Sequence, residues 1–486
     1  MLLIGTGSAG AVAYAHLNGN LRSSPLFTGT SGDAGMEKVD AFGNKPINLL
    51  VIGSDGRSNP TDCHLGGDCG PGANADVEMV VHVAADRTNA TVTSIPRDTV
   101  TELPACRDTR TGTSMATHVG QINSTLSYGP GCTVAAVHQL TGIPIDHFVM
   151  VDFAGVVTMS DAVGGVRVCV SDNLYDPYSH LKLTAGDHTL QGLAALEFLR
   201  SRHAFGDGSD LGRTYAQHLF LSALIRNLKS AGTLADPAAV YSLADAATKA
   251  LTVDTGLSSI PSLAGLAADL DKVPTRRVTF TTMPNTPDPA DAARVLPASG
   301  ANRLFAAIAD DQALTSASAS GTTPAAPGDT AAIPVLVRNN SGITGRAAAV
   351  TVTLHGAGFR QATTSTVSTG RTSTSTVAYP SGHLAQAQQV ASALGLPATA
   401  LHPGAGPTVL VVIGTDWTTG TSYPGSTVAA PTRASATGTT GTHAQTADQS
   451  ATCAAVSQDR TVLVAGRAMT PVQAFAASPT IALSAP

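Results

Sequence analysis

Five arginines and four aspartates of this chain fall into four short islands, each at the end of an apolar run or of a helical pattern. They are Gly53-Ser54-Asp55-Gly56-Arg57, Ala75-Asp76-Val77, Ser94-Ile95-Pro96-Arg97-Asp98, and Arg200-Ser201-Arg202 followed by Asp210-Leu211-Gly212-Arg213. Side chains at the ends of strands and helices can converge on one cleft from several elements. A fold that accommodates these islands brings their ends together. Arginines that meet carboxylates in this way point to a polyanion bound with a divalent metal, and a pyrophosphate is the obvious candidate.

The runs between the islands alternate between strand and helix patterns. Strands are expected at 48–53, 77–84 and 90–95, the last two joined by the turn Asp86-Arg87-Thr88-Asn89. Helices are expected at 119–128 and 133–140, then a strand at 147–153. A helix at 153–162 stops at Gly164-Gly165 before a strand at 166–170. Further helices are expected at 191–199 and 211–228, the second with Leu219, Leu221, Leu224, Ile225 and Leu228 as its apolar stripe. Residues 233–312 add helices and a strand at 277–282. Strands alternating with helices predict a layered α/β/α domain with a mixed sheet over 45–312.

Residues 18–44 read as a linker, and so do 313–332, which are rich in Ser, Thr, Ala, Pro and Gly. A small βαβαβ module is expected over 333–417. Beyond it, 418–486 reads as a low-complexity, disordered tail.

The apolar stretch 1–17 carries no charge. At about 1.5 Å per residue it is shorter than a bilayer core of about 30 Å. It is read as the end of a membrane anchor whose start lies upstream, the alternative being a signal peptide or a buried segment. Gly5-Thr6-Gly7-Ser8-Ala9-Gly10 fits a dinucleotide fingerprint by letter, but the loop after it removes the second strand that such a site needs.

The six cysteines are read in an oxidising compartment, with Cys63–Cys69 and Cys106–Cys132 as disulfides and Cys169 and Cys453 unassigned. Reduced, buried thiols are the alternative. No C-x-x-C pair suggests zinc. The net charge of -6 excludes nucleic-acid binding by bulk electrostatics.

Five motifs, in order, resemble the LytR-CpsA-Psr family of cell-wall glycopolymer ligases. They are 48–57, Ser94-Ile95-Pro96-Arg97-Asp98, Asp152-Phe153 with Ala162-Val163-Gly164-Gly165-Val166, Gly192-Leu193-Ala194-Ala195-Leu196 with Arg200-Ser201-Arg202, and Asp210-Leu211-Gly212-Arg213 with Gln217. The 333–417 module resembles the C-terminal domain of actinobacterial members through Asn339-Asn340-Ser341-Gly342 and Gly414-Thr415-Asp416.

The resemblance implies that Asp55 and Asp76 coordinate Mg²⁺. It implies that Arg97, Arg200, Arg202 and Arg213 bind pyrophosphate and act in catalysis, and that Gln217 contacts phosphate. Gln217 lies one turn after Arg213, so both can reach one anion. Arg57 and Asp98 would orient the others, Arg57 beside the pyrophosphate, and Asp210 would be a buttress or a general base. Arg200 and Arg202, two apart, would face different sides of an ideal helix.

The chain departs from the family at Ala75 and Val77, usually Ser and Thr, at Gln121, usually basic, and at Ala216, usually Arg. The activity implied is a Mg²⁺-dependent phosphotransfer of a glycopolymer from a polyprenyl-pyrophosphate lipid to peptidoglycan. The enzyme would be held at the cell membrane by a single-pass anchor, its catalytic domain outside the cytoplasm. A polyprenyl-pyrophosphate phosphatase and a non-catalytic wall-binding or regulatory protein are the alternatives. The C-terminal module is expected to be an interaction domain for a protein partner.

Overall fold

A computed structural model of the chain describes residues 2–30, 32–38, 44–56, 62–63, 65, 72–108, 111–206, 208, 210–230, 237–314, 333–357, 359–365, 370–380, 383–404, 408–420, 423–424, 445–447 and 453–485. The chain divides into two compact units, 1–317 with 438–486, and 318–437.

The first unit is built on an eight-stranded sheet. Its strands are β1 (Arg22–Ser24), β2 (Ile47–Ser54), β3 (Ala75–Val83), β4 (Ala90–Ile95), β5 (His147–Val151), β6 (Leu251–Asp254), β7 (Val278–Thr282) and β8 (Gln445–Thr446). Their order is β1-β6-β5-β2-β3-β4-β7-β8. The pairs β1/β6, β2/β5 and β4/β7 are parallel. The pairs β2/β3, β3/β4, β5/β6 and β7/β8 are antiparallel. Around the sheet lie α1 (Leu2–Asn20), α2 (Pro130–Thr141), α3 (Phe153–Ala162), α4 (Gly192–Arg200), α5 (Asp210–Ser230), α6 (Pro237–Ala250), α7 (Ile260–Lys272) and α8 (Ala301–Ala309).

Alternation along the strands sets the layers, because successive side chains point to opposite faces. Leu50 and Ile52 turn to one face and pack with Val134 and Val137 of α2 and Leu304, Phe305 and Ile308 of α8. Leu49 and Val51 turn to the other and meet Leu263 and Leu266 of α7. Met79, Val92 and Phe280 meet Leu221 and Ile225 of α5 on that same side. A sheet covered on both faces needs apolar residues at every position, which is why these strands read as continuous apolar runs. The result is the expected α/β/α sandwich with a mixed sheet.

The second unit has its own five-stranded sheet. Val335–Asn339, Val409–Ile413 and Thr376–Tyr379 form its centre, with helices at Arg346–Gly356 and Leu384–Leu394. Trp417 is wholly buried in its core. The βαβαβ pattern is present, with two short strands added, Ala362–Thr364 and Leu401–Pro403. Three residues are too few for a period-2 pattern to register.

Three sequence expectations give way. Residues 18–44 are not a free linker: β1 pairs with β6, and Ala34 and Glu37 are buried in the first unit. The span 119–128 is not one helix. His118–Gln121 is a strand, and a 3-10 helix follows at Ile122–Tyr128. The tail is not disordered where it is described. Gln445–Thr446 extends the central sheet, a hairpin forms from Val462–Val464 and Arg467–Met469, and Pro471–Ala477 is a helix with a complete capping box. Its low complexity hid small side chains, Ala454 and Ala474, that fill buried positions.

Disulfides join Cys106 to Cys132 and Cys169 to Cys453. Cys63 is also disulfide-bonded, while Cys69 lies outside the described residues. No helix among the described residues is long and apolar enough to cross a membrane. His16 and Asn20 of α1 bond to Asp245 of α6.

A buried polar knot pins the start of β2. Asn48, fully buried, donates its N–H to Asp146 Oδ2 at 2.8 Å, and its carbonyl accepts from the Asp146 N–H at 2.9 Å. Its side chain donates to Glu37 and meets His82 Nδ1 at 2.7 Å. His82 Nε2 lies 2.9 Å from Asp311. Burial, and then the Asp146 carboxylate, push Glu37 up to about 8. The folded state therefore holds a proton that the unfolded state releases above the ordinary value of 4.5. That stabilisation is complete below about 4.5 and is lost as the pH rises to about 8, at about 1.4 kcal/mol per pH unit. We predict that Glu37→Gln removes this slope. Denaturant titrations from pH 5 to 8 should show the wild type losing stability relative to the variant, and parallel curves would refute the assignment.

Candidate functional site

Three of the islands meet at one end of the sheet, where β2 stops and β3 begins. The β2/β3 register shifts between Gly53 and Ser54, so that Val77 faces Gly53, Ala75 faces Ser54, and Asp76 is the extra residue. A bulge of this kind re-aims a side chain out of the ladder. Asp76 is thereby turned toward Arg97, which follows β4, and Arg213, in the first turn of α5. Arg97 Nη1 donates to Asp76 Oδ1 in a short contact, and Arg213 Nη1 lies 3.5 Å from Oδ2. Both guanidinium groups are largely buried, with Arg213 only 5% exposed. Asp98 holds Arg97 from behind: its Oδ2 is 3.5 Å from Arg97 Nε, and its Oδ1 accepts from Gln121 at 2.8 Å and faces Arg294 at 3.6 Å.

The remaining site residues distribute as follows. Arg200 is the last residue of α4, its guanidinium 4.9 Å from the centre of the Phe153 ring and bonded to the Leu65 carbonyl at 3.2 Å. The helix ends there, and Ser201 is extended. Arg202 is thus not on the helix, and it lies outside the slot described below. Asp55 is engaged by Asn74, whose backbone N–H and side-chain amide both donate to it. Asp210 opens α5, but its side chain, like all of Arg57, lies outside the described residues.

Below the cradle runs an apolar slot of about 310 Å³, between the sheet and helices α3 to α6. That size is within the range of small-molecule sites. One face of α5 spans it. Arg213 and Gln217 stand at the head, and Leu221, Leu224 and Leu228 follow at helical spacing. From Arg213 to Leu228 this face is roughly 22 Å long. Val51, Val149 and Met159 line the opposite walls, and Asp76, Asp152 and Arg200 share the polar head. The slot is charged at one end and greasy along its length, which suits an amphiphile with an anionic head.

Several contributors were not singled out in the sequence. Arg294 carries no local signal, since it comes from a distant hairpin, Asn285–Asp288 with Asp291–Pro297. Glu78 does carry one: it is an acid inside an apolar strand. It is 1% exposed, and burial, then Asp76 and Asp98, push its carboxyl well above the usual range. His218 is buried beside Ser94, 2.7 Å from its hydroxyl, and burial pushes it down to about 4. It is a neutral packing residue. The donor set fits a hard divalent cation: Asp55 and Asp76 close neighbouring ends of β2 and β3, and Mg²⁺ uses one or two carboxylates with phosphate oxygens. Among the described residues no cluster of three or more His, Cys, Asp or Glu side chains offers a self-contained metal cage.

Gly212 explains the spelling of the last island. A Cβ there would lie 2.3 Å from the Phe205 carbonyl oxygen and 2.6 Å from that of Arg202. The first turn of α5 is therefore pressed onto the loop from α4, which brings Arg213 toward Arg200.

Fold and site together define a three-layer α/β/α protein with an arginine cradle at the head of an apolar slot. The profile of the LytR_cpsA_psr family matches residues 14–305, and the chain belongs to that family. A second profile, the LytR cell envelope-related transcriptional attenuator, matches residues 332–417. The cell wall biosynthesis protein LcpA of Corynebacterium glutamicum is 33% identical over 263 residues, which are 49% of this chain and 50% of that protein. The polyisoprenyl-teichoic acid–peptidoglycan teichoic acid transferase TagT of Bacillus subtilis is 29% identical over 241 residues, 48% of this chain and 69% of that protein. The chain spans about half the length of the Corynebacterium relatives it matches. Among solved structures, a LytR-Csp2A-Psr enzyme from Actinomyces oris is 23% identical with a TM-score of 0.44, over 59% of this chain and 95% of that one.

We predict that Gly212→Ala separates α5 from the 202–205 loop and costs about 1–3 kcal/mol. Gly265 of α7 has nothing within 4 Å of its added Cβ. Gly265→Ala should therefore be neutral or stabilising by up to about 1 kcal/mol. Thermal unfolding of both variants checks the contrast.

Proposed function

We propose that this chain is a phosphotransferase that moves a glycopolymer from a polyprenyl-pyrophosphate carrier onto peptidoglycan. The observation that carries the reading is the single face of α5 that runs from Arg213 and Gln217 to Leu221, Leu224 and Leu228 along one slot. A prenyl chain would occupy the apolar length and its pyrophosphate the arginine head. TagT, whose name describes transfer of teichoic acid between a polyisoprenyl carrier and peptidoglycan, supports the same chemistry.

In this reading a hydroxyl of peptidoglycan attacks the sugar-side phosphorus. The new P–O bond forms as the bond to the bridging oxygen breaks, and polyprenyl phosphate leaves. Arg97, Arg200 and Arg213 hold the phosphoryl oxygens, and their fork geometry matches the charge that builds there. Gln217 donates from the next turn of α5. Asp98 keeps Arg97 in place. Asp210 is the proposed acceptor of the hydroxyl proton, and Arg57 is proposed to stand beside the pyrophosphate. Asp55 and Asp76 would hold Mg²⁺, which neutralises pyrophosphate charge when bound. A cation there would share the Asp76 carboxylate with Arg97 and Arg213, which already pair with it. The segment before Leu17 serves as the membrane attachment, with the disulfide-bonded unit outside the cytoplasm. The second unit, with no comparable cluster of arginines and aspartates among its described residues, is proposed to bind a protein partner.

The test is product analysis with a polyprenyl-pyrophosphate-linked glycan. Transfer of glycan phosphate to added peptidoglycan supports the proposal. Release of glycan phosphate without an acceptor would indicate a phosphatase, and no turnover would indicate a binding protein. Arg97→Ala and Arg213→Ala should each lower turnover about ten- to hundred-fold, because a charge-assisted hydrogen bond contributes about 1.5–3 kcal/mol. Asp76→Asn should weaken Mg²⁺ binding measured by calorimetry. Leu224→Trp, which fills the slot, should reduce kcat/KM for a long-chain lipid by at least about ten-fold and leave a short-chain analogue little changed. Equal loss on both lipids would place the chain elsewhere.

A further inference from the structure

The loop Ser201–Gly206 leads from Arg200, the last residue of α4, toward Arg213, and it is gripped from two sides. On one side stands Asp176, which is fully buried. Its Oδ2 accepts from Ser201 Oγ at 2.8 Å and from the His203 N–H at 3.2 Å. On the other side is the far end of the chain. The Cys169–Cys453 disulfide fixes residue 453 beside the strand Val166–Val170. Ala454 then bridges to Val170, and Val456 to Phe205.

Three hydrogen bonds from this segment end on the loop itself. The Ser457 N–H donates to the Ala204 carbonyl at 2.8 Å, and its hydroxyl donates to the Gly206 carbonyl at 2.6 Å. The Thr461 hydroxyl donates to the His203 carbonyl at 2.6 Å. Ala204 is 0% exposed, so water does not supply the bond to its carbonyl, whereas His203 is half-buried and Gly206 exposed. The fit is close. A Cβ on Gly208 would lie 2.8 Å from Thr461 Cγ2. Below the loop, Ala454 and Val456 share one apolar cluster with Phe198 of α4 and Ala216 and Phe220 of α5.

We propose that Cys453–Thr461 is a positioning strap for the anion cradle. It fixes the 201–206 loop, and through the Gly212 contact it fixes α5 with Arg213 and Gln217. The catalytic unit is complete only when the chain returns to it after the second unit. Neither Ser457 nor Thr461 touches the proposed substrate. Both act through backbone carbonyls, and a displacement near 1 Å at a charged site is enough to cost about a hundred-fold in rate. In its activity arm the inference rests on the phosphotransferase reading, and in its structural arm it does not.

The test uses the full chain with two variants of one residue. Thr461→Val keeps the shape and loses the donor, whereas Thr461→Ser keeps the donor and loses the methyl packed on Gly208. Hydrogen exchange at residues 203–206 and the affinity for inorganic pyrophosphate with Mg²⁺ are measured together with kcat/KM on the lipid-linked glycan. Thr461→Val combined with Ser457→Ala should accelerate exchange at 203–206 and lower pyrophosphate affinity and kcat/KM, the last by about ten-fold. Thr461→Ser should stay close to wild type. Unchanged exchange and unchanged pyrophosphate affinity in the double variant overturn the strap. So does a loss in Thr461→Ser that matches the loss in Thr461→Val, because packing alone would then account for it. A wild type with no turnover refutes the phosphotransferase reading, and the exchange measurement still decides the strap.

Discussion

Everything at the head of the slot depends on Asp76 lying between Arg97 and Arg213. Two guanidinium groups repel each other when they are brought close together out of water, and a carboxylate between them offsets that repulsion. The bulge at the start of β3 supplies that carboxylate at the right place. Asp98 and Gln121 then fix Arg97 from the far side. Burial, with Asp76 and Asp98 nearby, pushes the Glu78 carboxyl well above its usual range. The cradle is thus formed in advance: Asp76 pairs with both guanidinium groups, and Asp98 and Gln121, which take no part in the proposed chemistry, hold Arg97 in place.

The slot takes its character from α5. The 3.6-residue repeat places Arg213, Gln217, Leu221, Leu224 and Leu228 on one face, so a single helix presents a charged head and an apolar length. Its other faces meet the sheet through Ile225 and the α4 cluster through Ala216 and Leu219. This helix links the packing of the sandwich to the chemistry of the site. A glycine one residue before Arg213 lets its first turn approach the loop from α4 without a clash.

The order of the units along the chain also has a physical consequence. The second unit has its own sheet and core, and it lies in sequence between two parts of the first. The chain that follows it adds β8 to the sheet edge, closes a disulfide with Cys169 and hydrogen-bonds the arginine loop. Lys182 adds to this attachment by donating to the carbonyls of Ser478 and Ile481, both at 2.6 Å. A segment of alanines, serines and threonines is held by backbone hydrogen bonds and by small side chains in tight places, with few large apolar groups of its own.

The sequence alone determined the layered α/β class and most strand and helix positions, and its family resemblance pointed to the residues proposed for the cradle. Apolar periodicity records which face of each element is buried, and the ordered islands record which ends must meet. It also pointed to a Cys106–Cys132 pair, because both flank one local stretch, and the structure joins them. Tertiary structure alone decided the rest. Which of Arg200 and Arg202 faces the slot depends on the helix ending at Arg200. Arg294 reaches Asp98 from a hairpin far along the chain. Cys169 finds Cys453 across 284 residues. The tail read as disordered because pattern rules weigh the bulk of side chains within a short window. Its order comes from contacts with residues 166–206, which no local window contains.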